Sequence, residues 1–271
     1  MFDPSPHSKS TTFTQSTKIE GCDGDAITES NQVYATGKLS GLVSHFDQAA
    51  SLKQSWSIKF PFSDADAYCG EPYAPEDIYV SNSKTGAIVK LAFIAVGGRT
   101  TLTQVISGFA VNKGSGWSSL GPSGMQYSNV RTGNLCNDTL YIVDGVDNTV
   151  ASVSNASNLV NKNEIVVQPG GKKFKCVHPN LTCAKLVYSG SPLNAPVASA
   201  LLPNGNLIVA NTKGGNTLVE LTPSGKILAT KTIDTSTTAH IFGLVAAGTS
   251  DSDTVLFYTD TKTNTLQELE Q

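Results

Sequence analysis

Thr139-Leu-Tyr-Ile-Val-Asp144-Gly-Val-Asp-Asn148-Thr-Val-Ala-Ser-Val153 reads as two apolar strands joined by a polar turn, and it decides the fold. The pattern is not unique in the chain. It occurs earlier as Gln32-Val-Tyr-Ala-Thr-Gly before Gly41-Leu-Val-Ser-His-Phe, and as Asp77-Ile-Tyr-Val-Ser-Asn before Ala87-Ile-Val-Lys-Leu. It occurs later as Asn206-Leu-Ile-Val-Ala-Asn before Thr217-Leu-Val-Glu-Leu, and as Val255-Leu-Phe-Tyr-Thr-Asp before Thr265-Leu-Gln-Glu-Leu. The residues closing the first strands, Thr36, Asn82, Asp144, Asn211 and Asp260, are 46, 62, 67 and 49 positions apart. A repeat of about 40–50 residues built of short strands is a four-stranded propeller blade. The two longer spacings require insertions, one of them a loop over residues 172–190.

The anchors Asn82, Asp144, Asn211 and Asp260 have a physical reason to be Asp or Asn. Such side chains bond the backbone two residues on and so set the turn between hairpin strands. In Leu207-Ile-Val-Ala both faces are apolar, Leu207 and Val209 on one and Ile208 and Ala210 on the other. That is the pattern of a strand covered on both sides by neighbouring sheets. Outer strands are expected at Leu52–Lys59, Leu102–Phe109, Glu164–Val167 and Ile227–Ile233, and inner strands at Gly124–Ser128, Pro196–Leu201 and His240–Ala246. The expected fold is therefore all-β: one propeller domain over residues 1–271 with five detectable four-stranded antiparallel blades. Thr11–Ile19 would close the ring as the outer strand of the last blade. A sixth blade is expected if an N-terminal one has been lost.

Gly121-Pro-Ser-Gly followed by Leu140-Tyr-Ile-Val-Asp-Gly-Val-Asp-Asn-Thr-Val150 resembles the NHL-repeat family of propellers, as does Leu202-Pro-Asn-Gly-Asn-Leu-Ile-Val-Ala-Asn211. The resemblance covers Tyr73 to the C-terminus well and the first 70 residues weakly. It implies a ring of blades, six as a rule. Its functional implications are broad, because the scaffold hosts protein-binding modules, sugar-lactone hydrolases, lyases and extracellular sensors.

Composition narrows the classes. Only 15% of the 271 residues are charged and the formal net charge is −3, with no basic face for phosphates, so no nucleic-acid partner is expected. No apolar run reaches 18 residues, so no membrane-spanning helix is expected. Five cysteines occur, and Cys176 and Cys183 flank a polar loop that a disulfide would close in an oxidising compartment. Low charge and this cysteine pattern favour a secreted or periplasmic monomer whose signal is absent from the sequence, with a cytoplasmic location as the alternative.

No Gly-x-Ser-x-Gly elbow, His-Glu-x-x-His pair, Walker loop or EF-hand loop occurs. What chemistry there is gathers where inner strands begin. His240 opens one inner strand and is placed at the channel mouth, as a hydrogen-bonded structural residue by preference and as an acid, base or ligand otherwise. Cys22 and Cys69 fall at similar places in the first two blades, and with Asp23 and Glu71 they are expected near the channel mouth as binding residues. Carboxylates gathered there would suit Ca2+, although no cofactor is evident from any motif. The leading expectation is a binding or scaffold propeller for a protein or small-molecule ligand. The alternative is a lactonase-like metal-dependent hydrolase or lyase acting at the central channel.

Overall fold

The computed structural model describes residues 16–19, 22–27, 32–37, 39–58, 61–67, 77–94, 99–112, 120–132, 135–263 and 265–270. Its strands form five antiparallel blades. Blade one is β1 (Cys22–Ile27), β2 (Val33–Gly37), β3 (Leu42–Phe46) and β4 (Leu52–Ser57), in that order from the axis outward. Blade two is β5 (Pro61–Ala67), β6 (Asp77–Asn82), β7 (Ala87–Ile94) and β8 (Arg99–Ser107). Blade three begins with β9 (Pro122–Thr132), β10 (Leu135–Asp144) and β11 (Thr149–Ser154). The chain then leaves that blade for β12 (Ile165–Val167) and β13 (Phe174–Cys176), and returns as its outer strand, β14 (Cys183–Ser189). Blade four is β15 (Pro196–Leu201), β16 (Leu207–Asn211), β17 (Thr217–Leu221) and β18 (Ile227–Thr232). Blade five is β19 (Ile241–Ala247), β20 (Val255–Asp260) and β21 (Thr265–Glu270). The inner strands β1, β5, β9, β15 and β19 touch in succession, and β19 touches β1, so the ring closes.

Alternation along each strand assigns its two faces to two neighbours. Leu140 and Ile142 pack into the core shared with blade two, while Tyr141 and Val143 pack into the core shared with blade four. Leu207 and Val209 join the blade-three side, and Ile208 and Ala210 the blade-five side. The two-faced reading of this strand therefore holds. A third core, of Tyr34, Val43, Trp56, Ile78 and Leu91, joins blades one and two. Each such buried aliphatic side chain contributes roughly 1.5–3 kcal/mol.

Three anchors make the expected turn. Asn82 Oδ1 accepts the Lys84 and Thr85 N–H groups at 3.1 and 3.0 Å, Asp144 Oδ1 accepts Val146 N–H at 2.9 Å, and Asp260 Oδ1 accepts Lys262 N–H at 2.8 Å. Asn211 differs. Its Oδ1 accepts Asn194 N–H at 2.8 Å, and its amide donates to Pro192 O and Thr217 Oγ1, each at 2.8 Å. It ties the chain entering blade four to that blade's hairpin.

The assignment of Glu164–Val167 as the outer strand of blade three is corrected. β12 pairs in parallel with β8 of blade two, Ile165 opposite Ile106 and Val166 opposite Ser107. The outer strand of blade three is β14, paired to β11 from Thr149–Ser189 to Ser154–Cys183. It lies inside the 172–190 stretch read as a loop. The reason is burial: Ala156, Leu159, Ile165 and Val167 find the apolar residues of blade two, Val105 and Ile106 among them, and complete one core there. Residues 155–182 thus form a strap. Tyr79 Oη donates to Ala156 O, and Lys90 Nζ donates to Ser157 O at 2.9 Å while pairing with Asp77 at 2.7 Å. Pairing with β12 also covers the outer edge of β8.

The Cys176–Cys183 disulfide is present, its Cα atoms 5.5 Å apart. It fastens the end of β13 to the start of β14, and so the strap to its own blade. Replacing both cysteines by serine is expected to lower stability by about 2 kcal/mol. Urea unfolding of the oxidised wild type against the double variant checks this; equal midpoints would refute it.

The proposed closing strand falls largely on residues outside the description, since Thr11–Gln15 are not described. Thr17–Ile19 form a 3-10 turn on blade one, where Ser40 Oγ donates to Lys18 O at 2.8 Å. Blade five has three strands among the described residues.

Candidate functional site at the junction of blades four and five

Of the residues expected at the channel mouth, Cys22 and Asp23 lie on β1, and only their backbone is described. Cys69 and Glu71 are outside the described residues. Among the described residues no group of three or more His, Cys, Asp and Glu is placed to hold a metal ion. The axis itself is tight where blades three and four meet. A Cβ on Gly124 would stand 2.8 Å from Ser199 N and 2.9 Å from Ala198 Cα, so β9 and β15 meet backbone to backbone. Gln126 Nε2 donates to Ser199 O at 2.7 Å and Ser123 Oγ to Pro196 O at 3.2 Å, closing the same seam.

His240 is 2% exposed and fully engaged. Its Nε2 faces Asp234 Oδ2, its Nδ1 lies 2.9 Å from Thr238 O, and its N–H donates to Asn216 Oδ1 at 3.1 Å. Asn216 has a left-handed φ of 41°, and its amide donates to Asp234 Oδ1 at 3.1 Å and to Thr238 O at 3.0 Å. His240 O accepts Thr261 N–H at 2.9 Å. His240, through its ring and its backbone together, therefore binds the β16–β17 hairpin, the β18–β19 connection and the β20–β21 hairpin into one knot. At Asp234 burial pushes the carboxyl up. Hydrogen bonds from Ser236, Asn216 and His240 outweigh it and hold the group below its ordinary range. Both ring nitrogens are thus hydrogen-bonded within the fold. A lone histidine in the sequence did not disclose its partners, because Asn216 and Asp234 come from two other segments.

At the opposite end of the same strands the junction opens into a cleft of about 210 Å³. Ile208, Leu218, Leu256 and Leu269 wall it, with Glu220 and Lys231 beside them. Register puts these residues together: Ile208 pairs with Glu220, and Glu220 with Ala229, so one row of the sheet faces blade five. Leu218 and Lys231 form the next row. Glu220 Oε1 accepts Asn206 Nδ2–H at 2.9 Å, which fixes the acid at the cleft. The apolar walls suit an apolar group, and the acid and the lysine can orient a polar one.

No protein-family model matches the chain, and no curated protein sequence does. Solved structures do. A chain of a nidogen/laminin complex superposes with a TM-score of 0.57 at 13% identity, over 93% of this chain and 76% of that one. Catalytically inactive virginiamycin B lyase from Staphylococcus aureus, solved with quinupristin, gives 0.53 at 12% identity over 95% and 83%. A streptogramin B lyase gives 0.50 at 17% identity over 96% and 86%. These likenesses establish the propeller fold.

Proposed function

We propose that the chain is an NHL-type binding propeller, exported, that takes an apolar side chain of a protein partner or a small apolar ligand into the cleft between blades four and five. The observation that carries this reading is the contrast at one junction. The histidine at one end is buried with both ring nitrogens committed to neighbours, while the opening at the other end is walled by leucine and isoleucine. A general base needs a nitrogen within reach of substrate, and a binding pocket needs apolar walls with a few polar groups. The disulfide supports an oxidising compartment, and the nidogen/laminin likeness offers a propeller found with a protein partner.

Ala229→Trp tests it. Ala229 lies on the exposed outer strand at the cleft, so the indole roofs the opening at little cost to the fold. Binding of small aliphatic and aromatic probes, followed by calorimetry, is expected to weaken at least about tenfold, since roughly 1.4 kcal/mol of lost contact suffices. Undiminished probe binding in this variant would defeat the proposal, as would turnover of a small substrate that His240→Ala abolishes without unfolding the protein.

A further inference from the structure

Blade three differs from blade four at its anchor residue, and the difference is buried. In blade four the anchor Asn211 donates from its amide to Thr217 Oγ1 at 2.8 Å, closing the hairpin across the two strands. In blade three the same two places hold Asp144 and Thr149, directly paired in the ladder. Asp144 presents a carboxylate oxygen where Asn211 presents an amide, and although the threonine hydroxyl has a hydrogen to give, no hydrogen bond joins the pair. Asp144 Oδ2 and Thr149 Oγ1 are both buried without a hydrogen-bond partner, the residues being 0% and 1% exposed. Orphaned oxygens at this depth are uncommon in native proteins and call for a partner.

A third oxygen and a glycine turn meet the Thr149 hydroxyl. The strap passes over this hairpin at Gly170–Gly171, where φ is 84° and 66°. The spot where a Cβ on Gly171 would stand is 3.0 Å from Thr149 Oγ1 and 3.1 Å from Asp147 Oδ2. The turn can settle over the hairpin only because that spot is bare. Among the described residues the ion pairs involve Asp47, Asp77 and Asp234, and none reaches Asp144 or Asp147. Two acids, a hydroxyl and no cationic side chain are a hard-oxygen set short of positive charge.

We propose that Asp144 Oδ2, Thr149 Oγ1 and the Asp147 carboxylate hold a small hard cation of the Ca2+ type beneath the Gly170–Gly171 turn, with water completing its shell. The ion occupies the junction of blades two and three, away from the axis, and pins the strap to the hairpin it crosses. It is independent of the cleft between blades four and five.

The test is thermal unfolding of the full chain, stripped with chelator and then titrated with Ca2+, alongside Asp144→Asn. Wild type is expected to gain about 5 °C in Tm at a hundredfold excess over Kd. Asp144→Asn is expected to gain nothing, because its amide copies the Asn211–Thr217 bond. It should equal or exceed stripped wild type, which shows that it folds. Calorimetric titration of wild type with Ca2+ should give one site, and Thr149→Val should weaken it several-fold. No heat and no shift in wild type, with Asp144→Asn simply more stable, would overturn the proposal and leave a protonated acid or a buried water. An equal shift in both proteins would place the ion elsewhere and overturn it as well.

Discussion

Gly124→Val is expected to cost about 3 kcal/mol, because the new side chain would have to force a pair of inner strands away from each other rather than push aside a neighbouring side chain. The atoms it would meet are backbone: Ser199 N at 2.8 Å and Ala198 Cα at 2.9 Å. They belong to β15, which is paired along its length to β16 and cannot withdraw without disturbing blade four. Thermal unfolding should show a fall in Tm of roughly 8 °C. The loss should appear as a cooperative shift, since β9 and β15 are neighbours in the ring of inner strands. A variant that melts with wild type would mean that the axis has room for a side chain between blades three and four.

Leu159→Ala is expected to cost about 3 kcal/mol as well, by a different mechanism. Leu159 is 0% exposed and sits in the core shared by blades two and three, so its truncation leaves a cavity lined by groups fixed in both sheets. The adjacent Val160 is 64% exposed and supplies the control. Val160→Ala should be nearly neutral. Limited proteolysis adds a local readout: trypsin should cut at Lys172 and Lys173 faster in the leucine variant, because that side chain holds the strap down. Equal rates in the two variants would refute the anchoring role.

The contrast between Leu159 and Ile165 and the repeats they interrupt shows how far the sequence can be read. The hairpins were legible because their signals are local. A short apolar run builds the first strand, Asp or Asn closes it in four of the five repeats, and the partner strand follows after a short polar turn. The two-faced character of Leu207–Ala210 was legible for the same reason. Ile165–Val167 was misassigned because its three apolar residues follow the third strand of a blade, where an outer strand belongs. Their true partner, Ile106, lies 59 residues earlier, and nothing local distinguishes the two pairings. The cleft was illegible for a related reason, since Ile208 and Leu218 need Leu256 and Leu269 from another sheet to become a wall. Asp144 was legible as a turn anchor and no further. Asn82 and Asp144 make the same turn through Oδ1, so the local pattern does not separate amide from acid.

Rings of like units are ordinarily tolerant of copying and deletion, because each unit answers only to its two neighbours. The strap withdraws that tolerance at one place. Among the described residues β8 and β12 form the single main-chain ladder that crosses from one blade to another. Removing residues 61–107 would strip β12 of its ladder, and removing blade three would bare the flank of β8. A deletion that keeps this ladder therefore removes or retains blades two and three together. For deletion or duplication this ring therefore has four modules, blades two and three counting as one.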